Sequence, residues 1–377
     1  MWRIGFRPFY LLASIFAALS IALWSAQVNG LLSRPYLSGA LWHAHEMLFG
    51  FTLAVVVGFL LTAGRNWSNQ PTLSGLPLAA LAALWVAGRV LVLTPFGWAA
   101  ASVNCAFPLA AAASLALPFI AARNRRNYFF VALLVLMGMA QLTVHLSQLQ
   151  AITLPPWIGI QGALDGVMFV MAVMAGRVVP MFTNNGVPGA NATRHPAVEK
   201  LALGSLLALL AADLAQLGGG PLVALLGLCA VAHAVRWSLW QPWATWRTPM
   251  VWVLHGAYLW IVIHLLLRGA AALGIVSVSA ATHALTVGAI GSLTLGMMTR
   301  TARGHTGRPL RADRLDLVCY LLVLLAALVR VGGPLALPAL TPQTVLCSAA
   351  LWSTAFALFA IRYGPWLARP RMDGQAG

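Results

Sequence analysis

A chain of 377 residues that is 60% hydrophobic and only 8% charged, with a mean hydropathy of +0.84, is not a water-soluble globular domain, where about a quarter of residues carry charge. Its formal net charge of +16 does not make it a nucleic-acid binder either. The basic residues are almost all Arg and fall between apolar runs, where membrane topology signals belong.

At roughly 20 apolar residues per span, the length accommodates about twelve spans, so 1–377 reads as a single all-α polytopic transmembrane domain. In chain order the predicted spans are 9–31, 43–64, 76–93, 99–121, 128–148, 158–181, 198–217, 221–240, 249–269, 279–301, 315–332 and 341–364. Gly, Pro and Asn punctuate the gaps, as in Asn66–Pro71, Thr94–Gly97, Asn184–Pro188 and Gly218–Pro221. No small-residue cleavage site follows Arg3 and Arg7, so the first span reads as a retained helix. With the N-terminus inside, 19 of the 23 basic residues fall on the inner side, and only Arg34, Arg89, Arg268 and Arg330 fall outside. That asymmetry predicts twelve helices with both termini in the cytoplasm. Cys105, Cys229, Cys319 and Cys347 lie singly in apolar stretches and read as buried structural thiols. No repeat relates the two halves by sequence alone. Gly162-x-x-x-Gly166 fits the pattern of close helix packing.

Histidines carry the chemistry of this sequence. Ionisable groups are expensive in hydrocarbon, and neutral imidazole is the commonest protein ligand for transition metals. Trp42-His43-Ala44-His45-Glu46-Met47 opens the second span. On a helix His43 and His45 diverge by about 200°, so the pair either chelates one ion from an extended opening turn or serves two neighbouring sites. An interfacial anchor is the plain alternative. His145 shares a helix face with Gln141 and Gln148 and suits either a ligand or a hydrogen-bonding role. Glu46 and Asp165 are the acidic candidates for fixing an imidazole tautomer or relaying protons. Arg177, at the end of the sixth span, either snorkels to the interface or pairs with a propionate.

His255, with Trp252 and Tyr258 on its face, lies too deep for an interfacial anchor. His283 opens the tenth span. The glycines that follow it (Gly288, Gly291, Gly296) suit a flat macrocycle or a close helix neighbour. Seventeen residues separate His283 from Arg300, roughly 25 Å along a helix, which puts His305 at the opposite end from His283. In Arg303-Gly304-His305-Thr306-Gly307-Arg308, His305 suits an inner metal site with His255, and Arg300, Arg303 and Arg308 suit a haem propionate or a lipid phosphate. His195, His233 and His264 are weaker candidates. The Met168, Met171, Met174 stripe reads as packing.

These stretches resemble the NnrS family of bacterial membrane proteins. The resemblance rests on Phe6-Arg7-Pro8-Phe9, on residues 42–50 (WHAHEMLFG), on Gly58–Ala63, and on Gly176–Pro180 with Phe182-Thr183-Asn184. It continues through Leu254–Tyr258, His283–Gly291 and residues 304–310 (GHTGRPL), and covers essentially the whole chain. It implies a twelve-helix bacterial inner-membrane protein that holds haem and copper and takes part in the response to nitric oxide. It implies as ligands His43, His45, His145, His255, His283 and His305, with the division between the metals left open. No CxxCH is present, so the haem is expected to be haem b, held non-covalently. Expected partners are nitric oxide or a related small molecule, the bilayer and an electron donor. Two other readings are a transporter of copper or an NO-derived molecule, weakened by the shortage of midplane polar residues, and a haem–copper-type reductase, which the absence of a His-His pair weakens.

Overall fold

The computed structural model describes residues 1–31 and 35–374; Arg34, counted above as an outer basic residue, lies outside them. Among the described residues twelve long helices follow one another. They are α1 (Phe6–Val28), α2 (Gly39–Ser68), α3 (Gly75–Leu91), α4 (Gly97–Ala121), α5 (Tyr128–Gln148) and α6 (Pro156–Gly186). Then come α7 (Pro196–Leu214), α8 (Gly219–Ser238), α9 (Pro249–Ala272), α10 (Val278–His305), α11 (Arg314–Ala336) and α12 (Thr341–Ala368). Ten helices are long and apolar enough to cross a membrane. The two others are α3, of 17 residues, and α7, which carries Glu199, Lys200 and Asp213.

Around an apolar core, large apolar side chains also lie on the surface and several charged ones are buried. Leu117 is 70% exposed, Val231 63% and Ile361 73%, whereas Arg7, His45, Glu46, His233 and Arg236 are at most 1% exposed. Apolar residues facing outward around buried charge are what a hydrocarbon solvent selects. Cys347 departs from the expectation of buried thiols: it is exposed on α12, while Cys105, Cys229 and Cys319 are buried. A thiol behaves as a small hydrophobe, and an outward position among apolar side chains suits it equally.

The chain forms two compact units. One comprises Met1–Gly166, Thr301–Pro309 and Phe359–Gly377; the other comprises Val167–Arg300 and Leu310–Leu358. In unit 1 the chain entering α1 is tied to α2, because the Phe6 N–H donates to Thr62 Oγ1 at 2.9 Å. Gly159 of α6 comes so close to α5 that a Cβ there would strike the Ala140 carbonyl, while Gly162 has nothing near it. In unit 2, Asp313 and Asp316 cap α11 reciprocally: the Asp313 side chain accepts from the Leu315 and Asp316 N–H groups, and the Asp313 N–H donates to Asp316. The buried methionines Met168, Met171 and Met174 are packing residues.

Helices α2 and α10 share an irregularity that hydropathy does not reveal. Each begins as a short α-helix ending on a histidine, His45 or His283. Each then widens into a π-helix (Glu46–Thr52 or Ala284–Gly291) and returns to α geometry. Aligned on those histidines, Gly50 matches Gly288, Gly58 matches Gly296 and Arg65 matches Arg303. The packing repeats as well. Gly50 of α2 takes the Arg89 guanidinium of α3 together with Phe16 of α1, and Gly58 takes Phe9 of α1, while Gly288 and Gly296 of α10 take Trp260 and Val253 of α9. The ring of Trp260 lies where a Cβ of Gly288 would be, so this glycine serves a close helix neighbour, the second of the two readings above. π-Helices are rare and concentrate at functional sites.

Candidate metal centre

In unit 1, α2 and α5 bring together two histidines that the sequence separates by 100 residues, with His45 Nε2 and His145 Nε2 3.2 Å apart. Both residues are 0% exposed. His45 Nδ1 faces Glu46 Oε1 at 2.8 Å, and since the carboxylate accepts, the ring proton sits on Nδ1. The Tyr36 hydroxyl donates to the His145 carbonyl at 3.1 Å, so its oxygen is left to accept from His145 Nδ1 at 3.4 Å. The Tyr36 ring stacks on the imidazole at 5.8 Å. With both Nδ1 atoms protonated, both Nε2 atoms carry lone pairs, and that of His45 accepts from the Gln141 amide N–H. The Gln141 side-chain amide donates to His45 Nε2 at 3.2 Å and to Asn104 Oδ1 at 3.3 Å, and its side-chain oxygen has no protein partner.

Behind this pair lies a buried polar chain. Glu46 Oε2 is 3.3 Å from Arg89 Nε. Arg89 donates to Asn104 Oδ1, and Asn104 Nδ2 donates to the carbonyls of Gly88 at 3.2 Å and Ala100 at 2.9 Å. From the sequence Arg89 stands only as an outer topology residue, and nothing local marks Asn104 or Tyr36. Their role depends on α3, α4 and the segment before α2 meeting α2 and α5, which no local motif encodes.

The remaining sequence candidates lie elsewhere. The His43 ring lies tilted against Trp24 at 4.8 Å, away from His45, as divergence on a helix requires. Asp165 accepts from Gln161 at 2.9 Å. The His305 ring lies 5.4 Å from Phe6 in unit 1. In unit 2, His255 Nε2 is 2.9 Å from Thr183 Oγ1, and its Nδ1 has no protein partner. His255 borders a cavity of about 330 Å³ lined also by Trp237, Trp243 and Trp252. His283 Nδ1 donates to the Ser279 carbonyl at 2.7 Å. His264 Nδ1 donates to the Ala281 carbonyl at 2.7 Å, leaving a buried Nε2 without a protein partner. That arrangement makes His264 a better candidate than its sequence context suggested.

His233 has a different role. The Arg236 guanidinium binds both Glu199 oxygens at 2.8 and 2.7 Å and donates to Tyr258 Oη at 2.9 Å. The Tyr258 hydroxyl donates in turn to His233 Nδ1 at 2.6 Å, and His233 Nε2 donates to the Ala202 carbonyl at 3.0 Å. Every ring nitrogen is used, so this histidine ties α7, α8 and α9 together.

The arginine candidates separate. In unit 2, Arg177 lies on α6 and Arg300 lies over the Phe182 ring at 3.6 Å. In unit 1, Arg303 and Arg308 lie over Trp366 at 5.4 and 4.0 Å. Among the described residues no group of three His, Cys, Asp or Glu side chains is placed to hold a metal ion. The convergent feature is thus a pair of imidazoles.

No curated protein matches this chain. A family model described as NnrS protein matches residues 1–371. With essentially its whole length matched and ten apolar helices long enough to span a bilayer, the chain belongs to the NnrS family, multi-pass membrane proteins of the nitric oxide response.

Proposed function

We propose that the protein is a haem- and copper-binding inner-membrane protein that binds nitric oxide or relieves nitrosative stress, with twelve spans and both termini in the cytoplasm. The observation that carries this reading is the facing Nε2 pair of His45 and His145 at 3.2 Å. Two imidazole ligands on one tetrahedral ion, at metal–nitrogen bonds of about 2.0 Å, lie about 3.3 Å apart. The protons held on Nδ1 by Glu46 and Tyr36 leave both lone pairs for the metal, as the outer partners of metal-bound histidines do. Imidazole suits copper, and metal binding displaces the Gln141 amide N–H from His45 Nε2.

For haem iron the favoured ligand is His283. Its Nδ1 is held by a backbone carbonyl, and it occupies in α10 the place that His45 has in α2. Bound copper and haem iron supply open coordination positions for nitric oxide and one-electron chemistry. The chain itself orients the imidazoles and keeps Glu46 paired with Arg89 behind His45.

The test is metal and haem content of the detergent-purified protein from cells supplied with both, by elemental analysis and pyridine haemochrome spectra. Near-stoichiometric copper and b-type haem, followed by spectral change on titration with nitric oxide, supports the reading. Absence of both overturns it and favours transport.

A further inference from the structure

Arg7 is the second residue of α1 and is 1% exposed. Its Nη1 donates to the carbonyls of Leu367 at 2.9 Å and Arg369 at 2.5 Å, at the end of α12. Its Nε and Nη2 are buried and have no protein partner. These two N–H groups lie along one edge of the guanidinium, and together they form the fork that grips two oxygens of a phosphate or carboxylate. A buried cation with two unpaired donors is costly in any fold. Its charged neighbours are Arg3, Arg308 and Arg371, all of the same sign. The acid in the cluster, Asp373, is gripped by Arg371 at 2.8 and 2.5 Å. That ion pair offsets the Arg371 charge and leaves Arg7 with Arg3 and Arg308 as a net positive group.

His305, at the end of α10, also has Arg7 and Arg371 as charged neighbours. A site so surrounded repels a metal ion and attracts an anion. Trp366 supplies an aromatic floor, with Arg308 over it at 4.0 Å. All of this lies at the end of unit 1 where α1 begins and α12 ends, the level at which a lipid headgroup meets a membrane helix.

We propose that this end of unit 1 binds a phosphate group, held by the Nε–Nη2 fork of Arg7 with Arg308 beside it. The group belongs either to the headgroup of an anionic phospholipid or to soluble phosphate. The assignment does not depend on the metals.

The test uses the full-length protein in neutral detergent after exhaustive delipidation. Its thermal midpoint is titrated with phosphatidylglycerol, phosphatidylcholine and inorganic phosphate. Stabilisation by phosphatidylglycerol alone assigns a lipid headgroup; an equal effect of inorganic phosphate assigns a soluble anion. In either case Arg308→Gln and Arg7→Lys, which keeps the charge and loses the fork, should weaken the apparent affinity about tenfold. If Arg7→Lys fails to fold, Arg308→Gln decides. Equal effects of phosphatidylglycerol and phosphatidylcholine, no effect of any additive, or equal responses in wild type and variants overturn the proposal. So does loss of haem in the variants with an unchanged lipid response, which gives the fork to a haem propionate.

Discussion

His45 and His145 face each other through their Nε2 atoms at 3.2 Å, each ring oriented from behind, His45 by Glu46 and His145 by Tyr36. Two unprotonated ring nitrogens this close repel each other, and a cation bound by both removes the repulsion. His45→Ala and His145→Ala are each expected to abolish copper binding. The double variant should lose no more than either single one, since the two act as a unit. Elemental analysis checks this; copper retained in one single variant excludes the shared site.

Glu46 fixes the His45 tautomer and neutralises Arg89. Glu46→Gln should weaken copper binding about 10–100-fold, the usual effect of removing an outer partner of a ligand histidine. Arg89→Ala leaves a buried carboxylate unpaired and should destabilise the protein by about 3–5 kcal/mol. Combining Glu46→Gln with Arg89→Met should recover part of that loss in thermal melts. A double variant no more stable than Arg89→Ala removes the pairing argument.

His283→Ala should remove more haem absorbance than His264→Ala, although both rings donate Nδ1 to a carbonyl. Only His283 has the position at the start of a π-helix that His45 has. Equal Soret losses would give both residues the same standing. His195, exposed at the start of α7, should leave metal content unchanged when replaced by Ala.

The His233 network predicts stability effects without metal effects. Tyr258→Phe takes the donor from a buried His233 nitrogen and should cost about 1–3 kcal/mol. Glu199→Gln takes from the buried Arg236 its negative partner and one of four acceptors, and should cost more. Thermal melts and metal analysis of the same samples separate the two readouts; metal loss in Tyr258→Phe at an unchanged midpoint contradicts a structural role.

Gly288→Ala puts a methyl into the Trp260 ring and should destabilise by about 1–3 kcal/mol through overpacking. Gly162→Ala, with open space around it, should be near neutral. Comparable melting shifts for the two would show that α9 and α10 repack easily.

The sequence by itself determined the class of this protein. Hydropathy and the placing of its arginines marked out twelve helical stretches within a few residues of those in the structure, because a hydrocarbon solvent imposes length and composition on each helix separately. The motif around residues 42–47 and the polar face of α5 also identified His45, His145 and Gln141, since an ionisable residue in an apolar run is locally visible. Tertiary structure decided the pairing. That His45 turns to His145 while His43 turns to Trp24 depends on which neighbour each helix face meets. The same holds for Arg89 and Asn104 behind Glu46, for the capture of His233 by Tyr258, and for the fork of Arg7 beside the end of α12. The π-helical turns of α2 and α10 lie beyond a period-3.6 reading, because a widened turn shifts the register of the helix faces without changing hydropathy.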